Sequence, residues 1–199
     1  MTTSDWIATA AIVISLVVPS LAVWYTRRQA VANKQVAVIE ADRRHEELTP
    51  QLDITCTEQY GDRAELNVAF TGPLGLGRLD EIIVEILDDR PDRQPSPTHL
   101  AEITIEKFRQ FIWGPYRFAR GVDGSDAAGR TVPPFALDRG DSRPLVVDRS
   151  MHPYWYTNPE NWRLEQEGKP VRLRITCRAN GHEKQWVIPC RVVQVDKAK

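Results

Sequence analysis

Residues 171–193 read Val171-Arg-Leu-Arg-Ile-Thr-Cys-Arg-Ala-Asn-Gly-His-Glu-Lys-Gln-Trp-Val-Ile-Pro-Cys-Arg-Val-Val193. Val171, Leu173, Ile175 and Cys177 alternate with Arg172, Arg174, Thr176 and Arg178. After Asn180-Gly181, Trp186, Ile188, Cys190 and Val192 alternate with Val187, Pro189, Arg191 and Val193. A period of two is the mark of a strand with one face in the core. Asn-Gly accepts the positive φ angles of a two-residue hairpin turn. Such a loop pairs Ala179 with His182. It sets Ile175 opposite Trp186, Leu173 opposite Ile188 and Val171 opposite Cys190, all on one face. Cys177 and Cys190 are then not opposite, so no bridge across the hairpin is expected. Pro189 has no N–H to donate, which predicts an edge position for its strand.

The same alternation runs back to Pro50. Leu52, Ile54 and Cys56 alternate with polar residues, a Tyr-Gly-Asp-Arg turn follows at residues 60–63, and Leu66, Val68 and Phe70 alternate next. These predict a second hairpin. Ile82-Ile83-Val84, within Leu79–Leu87, predicts a strand covered on both faces. Asp88–Pro97, with three prolines, predicts a loop, and His99–Phe108 a further strand with one wet face. Gly114–Asp148 is rich in Gly, Pro and Arg and reads as long loops around one or two short strands. Roughly seven strands, with no helix after Pro50, predict a mainly β fold: an antiparallel sandwich of immunoglobulin-like architecture over residues 50–199. The Cys…Trp…Cys hallmark of true immunoglobulin domains is not evident, so the label is architectural.

Upstream, the composition changes. After a five-residue tail, residues 6–26 carry no charged side chain. About 20 residues at 1.5 Å each match a bilayer core of about 30 Å. Trp6 stands at one end and Trp24 and Tyr25 at the other, as an interfacial aromatic belt requires. Arg27, Arg28 and Lys34 follow the span, while Asp5 precedes it. The positive-inside rule therefore places the amino terminus outside and the domain in the cytoplasm, at the plasma membrane. A cleaved signal peptide is the rival reading; Ser20-Leu21-Ala22 resembles a cleavage site, but the basic n-region is missing. Residues 27–49 form a juxtamembrane stalk. Gln29–Leu48 has no Gly or Pro and is expected to be helical up to the Thr49-Pro50 stop. Its apolar positions Val31, Val38 and Leu48 are sparse, which allows only weak self-association. Arg43, Arg44, Glu46 and Glu47 read as a solvated face.

With 26 basic and 27 acidic residues the net charge is −1, which argues against a dedicated nucleic-acid binder. Three cysteines, Cys56, Cys177 and Cys190, form no disulfide framework and read as reduced thiols. His45, His99, His152 and His182 are scattered without metal-ligand spacing. No catalytic motif stands out, and no cofactor or metal is expected. Gly-Pro-Leu-Gly-Leu-Gly at 72–77 lacks the Lys-Ser/Thr ending of a phosphate loop and reads as a plain turn. Asp88-Asp89 reads as solvated surface.

Two aromatic clusters carry the functional expectation. Phe108, Phe111, Trp113, Tyr116 and Phe118 are interleaved with Arg109, Arg117 and Arg120. Tyr154, Trp155, Tyr156 and Trp162 follow His152. Trp, Tyr and Arg dominate binding hot spots, yet large aromatics also plug the ends of sandwiches. The candidate binding residues are Arg109, Trp113, Tyr116, Arg117, Tyr154, Trp155, Tyr156 and Trp162.

The layout resembles a broad group of uncharacterised bacterial membrane proteins, common in high-GC genomes. The matching features are the span Trp6–Thr26, Arg27-Arg28, the helical stalk Gln29–Leu48 and the strands after Pro50. Trp113-Gly114-Pro115-Tyr116-Arg117-Phe118 looks like a signature of such sequences. The resemblance implies the architecture and no activity. The leading expectation is a membrane-anchored, non-enzymatic interaction module with a protein partner. The alternatives are an extracytoplasmic ligand- or wall-binding domain and an enzyme with dispersed residues.

Overall fold

Where each strand faces follows from its alternation, and a computed structural model shows how the faces meet. It describes residues 28–29, 33–90, 104–156 and 158–195. The span 6–26, with Trp6, Trp24 and Tyr25, lies outside the described residues, as does Arg27; Arg28 is an exposed helical residue. Among the described residues no helix is long and apolar enough to cross a membrane.

The chain divides into two compact units, Met1–Glu47 and Leu48–Lys199. In the first, helix α1 covers residues 33–47. Arg43 and Glu47 pair across one turn at 2.9 Å, both largely exposed, an arrangement of small energetic weight.

The second unit holds nine strands among its described residues. They are β1 (Gln51–Glu58), β2 (Arg63–Gly72), β3 (Arg78–Leu87), β4 (Tyr116–Phe118), β5 (Phe135–Asp138), β6 (Ser142–Arg149), β7 (Val171–Arg178), β8 (Trp186–Val192) and β9 (Gln194–Val195). One sheet runs β4-β6-β2-β1-β9 and the other β5-β3-β7-β8. All pairings are antiparallel except β1 with β9. Leu66, Val68, Phe70, Ile82, Val84, Leu145, Leu173 and Ile175 are wholly or almost wholly buried in one core. The fold is mainly β, with two sheets in a sandwich-like arrangement.

The first hairpin pairs Leu52 with Phe70, Ile54 with Val68 and Cys56 with Leu66. The last hairpin forms on the expected face, but its register is displaced by two residues. Cys177 faces Trp186, Ile175 faces Ile188, Leu173 faces Cys190 and Val171 faces Val192. The turn at Asn180-Gly181 is present, with the His182 N–H donating to Ala179 O at 3.2 Å and Gly181 at φ 83°. Ladder pairing begins further out, and residues 179–185 form the connection. A slip of two preserves the side-chain face, so the apolar pattern could not detect it. The two cysteines are not opposite, and all three are free thiols. β8 is an edge strand, where Pro189 is tolerated.

Other expectations change. Residues 105–108 are helical, not extended; 99–103 lie outside the described residues. Helix α2 (Ile105–Gln110) starts at Thr104, whose side chain accepts from Lys107 N, and this N-cap overrides the weak alternation. Helix α3 (Pro159–Gln166) starts at Asn158, whose side chain accepts from the N–H groups of Glu160 and Asn161, with Pro159 in the first turn. Ile82 and Val84 are buried while Ile83 is only half-buried, so β3 is covered on one face. Gly114–Asp148 holds three strands. β6 is the longest, and it lies between β2 and β4. Pro144 obscured it. Val146 N donates to Asp123 Oδ2, away from β2; Pro144, two residues back, turns its nitrogen the same way and interrupts no ladder bond.

Candidate binding site

The two aromatic clusters of the sequence meet in space. Phe108, on α2, and Trp113, just beyond it, pack with Trp162 of α3 in a second core beside the main one, flanked by Phe111, Trp155 and Tyr156. Ring centroids are 5.0 Å apart for Phe108–Trp113, 5.3 Å for Trp113–Trp162 and 4.7 Å for Phe111–Trp155. The tilted and edge-on geometries suit aromatic quadrupoles. Trp162 Nε1 donates to Ser150 O at 3.2 Å, and Tyr156 OH to Glu165 Oε1 at 2.6 Å. Tyr116 and Phe118 belong instead to the main core. Tyr116 OH donates to Glu58 Oε1 at 3.4 Å, and Glu58 also pairs with Arg149.

The candidate residues therefore separate by environment. Trp113, Tyr116 and Trp162 are buried, at 5%, 1% and 2% exposure. Trp155 and Tyr156 are half-buried, and Arg109 is exposed. Tyr154 is 66% exposed and stacks edge-on against Trp155 at 4.7 Å. The buried members support the surface; Tyr154 is the aromatic ring presented to solvent.

Beside Tyr154 opens a cavity of about 690 Å³, lined by Phe111, Ile112, Arg117, Arg120, Ala127, Ala128, Ser150, Met151, His152, Tyr154 and Gln110. Among the described residues no acidic side chain lines it. Arg117 stands opposite Asp148 across β4 and β6, but that carboxylate accepts from Arg63 Nε at 3.2 Å. Arg117 Nε is buried without a hydrogen-bond partner among the described residues. Burial, followed by the charge of Arg120, pushes the Arg117 guanidinium below its usual range.

The wall formed by Ala127 and Ala128 is held in place. Phe118 N donates to Gly129 O at 2.8 Å, and Ser125 Oγ to Ala119 O at 2.7 Å. Asp126 accepts from Arg130 N and from Thr131 Oγ1. Gly129, at φ 77°, passes so close to β4 that a Cβ there would stand 2.6 Å from Phe118 O; only glycine fits.

Arg130 ties the aromatic segment to β3. Its Nη2 donates to both carboxylate oxygens of Asp88, at 2.9 and 3.2 Å, and to the backbone oxygens of Arg109 and Phe111 at 3.1 and 2.7 Å. Asp88 also accepts from Trp113 N at 3.0 Å. Asp89 pairs with Lys169 at 3.4 Å and is largely buried. The reading of Asp88-Asp89 as solvated surface is thus corrected: both are anchors, and their partners stand 42 and 80 residues away.

Ser150 and Met151 were absent from the expected site, while Arg120 and His152 were noted with the two clusters but not among the candidate binding residues. Arg117 and Arg120 share the cavity because β4 ends between them, a boundary that the sequence pattern does not mark. A smaller cavity of about 170 Å³ reaches Gln166, 5% exposed, whose amide atoms have no partner among the described residues. Among the described residues no cluster of His, Cys, Asp or Glu could hold a metal ion. Burial pushes the thiols of Cys56 and Cys177 up to about 11 and about 12, so neither is a thiolate at neutral pH. No family model matches the sequence, and no curated protein matches it.

Proposed function

We propose that this chain is a membrane-anchored, non-enzymatic binding module. Its domain, of immunoglobulin-like architecture, faces the cytoplasm and engages a protein partner at its aromatic–arginine end. The observation that carries the reading is the open cavity beside exposed Tyr154, walled by Arg117 and Arg120 and backed by a packed aromatic layer. Concave, mostly apolar surface with a few convergent polar groups is the usual form of a binding site, and rigid backing keeps the cost of ordering it low. The uncharged run 6–26, with Trp6, Trp24 and Tyr25 at its ends and Arg27 and Arg28 behind it, supports the anchor and the orientation.

A photocrosslinking residue placed at Tyr154 in the full-length chain, in cells, tests the reading. Leu74, 86% exposed in the turn at the other end of β2, is the control position. A discrete protein adduct at Tyr154 and none at Leu74 is expected. The same adducts at both positions, or none at either, would remove the reading.

A further inference from the structure

We propose that the cavity between Arg117 and Arg120 is a seat for an organic anion, a carboxylate or phosphate head carried on an apolar body. The proposal deepens the binding-module reading and rests on it for the location of the site.

Charge comes first. Two guanidinium groups line one cavity, and none of the eleven described residues that line it is acidic. Elsewhere in the domain, cross-strand arginines take carboxylates: Arg174 takes Glu85, Arg178 takes Glu81, and Arg78 takes Asp138. Arg117 has Asp148 opposite in register, and that charge favours the guanidinium, yet the carboxylate accepts its hydrogen bond from Arg63. A buried guanidinium nitrogen without an acceptor is costly. A bound carboxylate or phosphate would offset the repulsion between the two cations. The fork of N–H donors on arginine matches the oxygen spacing of both anions.

Size and lining define the rest of the ligand. About 690 Å³ lies within the range of small-molecule sites, roughly 300–1,000 Å³. Phe111, Ile112, Met151 and the methyls of Ala127 and Ala128 offer apolar contact. Ser150 and His152 add polar groups, although Ser150 Oγ is already bonded to Gly114 O. An inorganic ion would leave most of this surface wet; an anion with an aromatic or aliphatic body would cover it. The head has two possible sources, a free small molecule or an acidic or phosphorylated side chain of the partner.

The test uses the full-length chain in detergent solution, with phenyl phosphate and benzoate as probes and benzyl alcohol as the neutral control. Binding is read by calorimetry and by the arginine Nε–H resonances in NMR. Both anions are expected to bind and to shift Arg117, and added salt should weaken them. Arg120 is exposed, so Arg120→Gln should fold normally and weaken both probes at least tenfold. Arg139→Gln, at an exposed site elsewhere, should leave them unchanged. Benzyl alcohol binding as tightly as benzoate would overturn the proposal, as would unchanged affinity in Arg120→Gln.

Crosslinking at Tyr154 separates the sources and the two claims. Loss of the partner adduct in excess phenyl phosphate supports an anionic side chain of the partner. An adduct unaffected by a probe that does bind supports a free anion. An adduct with no probe binding overturns the anion seat and leaves the module standing. Probe binding with no adduct supports the seat and removes the protein-partner reading.

Discussion

At the scale of single residues, three buried acids set how the domain responds to alkali. Burial raises Cys56 from 9.0 to about 11, Cys177 from 9.0 to about 12 and Tyr116 from 10.0 to about 12. Each folded value lies above its unfolded one. The stabilisation is therefore complete below about pH 9 and is lost as pH rises towards 12. The melting temperature should hold steady through neutral pH and fall steeply over that window. The Cys56→Val/Cys177→Val double variant should flatten the fall. A melting temperature unchanged at the alkaline end would contradict the burial. The odd, low cysteine count pointed to thiols outside any disulfide framework, and the structure has all three free, with Cys56 and Cys177 fully buried. Residue identity alone did not announce Arg130, whose work depends on Asp88, Arg109 and Phe111 arriving from a distance.

At the scale of elements, what could be read from the chain was what period and turn chemistry encode. β1, β2 and β7 follow plain alternation, and Asn180-Gly181 marks a real turn. The two-residue slip of β8 was invisible because it leaves every side chain on its own face. Short helices were missed because α2 and α3 offer six and eight residues, too few for a helical period, and only the caps at Thr104 and Asn158 announce them. These helices matter because they carry the aromatic layer. Trp162→Ala should cost about 3–5 kcal/mol, since Trp162 is 2% exposed and touches Trp113 and Tyr156. Chemical denaturation measures the loss, and hydrogen exchange should rise first in α3 and residues 150–156. A loss spread evenly over both sheets would show that the layer is not a separate unit. The same burial means that Trp113 and Trp162 report on folding, whereas the exposed Tyr154 and Arg120 are the positions that test the proposed binding.

At the scale of the whole molecule, the proposed anchor rests on the uncharged run 6–26 and the proposed binding face on the cavity beside Tyr154. The sandwich was legible because alternating strands have few other ways to bury one face each. The site was half legible: the two aromatic clusters were recognised, but their convergence depends on pairings between β4, β6 and the helices, separated by tens of residues. Which members are buried follows only from that convergence. The proposed function holds the domain at the membrane, facing the cytoplasm. The most direct measurement is protease protection of a C-terminal tag on the full-length chain, in intact and in lysed cells, with the membrane fraction separated. The tag is expected to sediment with membranes and to be cleaved only after lysis. A tag cleaved from intact cells would reverse the orientation and move the partner outside the cell, and a tag recovered in the soluble fraction would contradict the anchor itself.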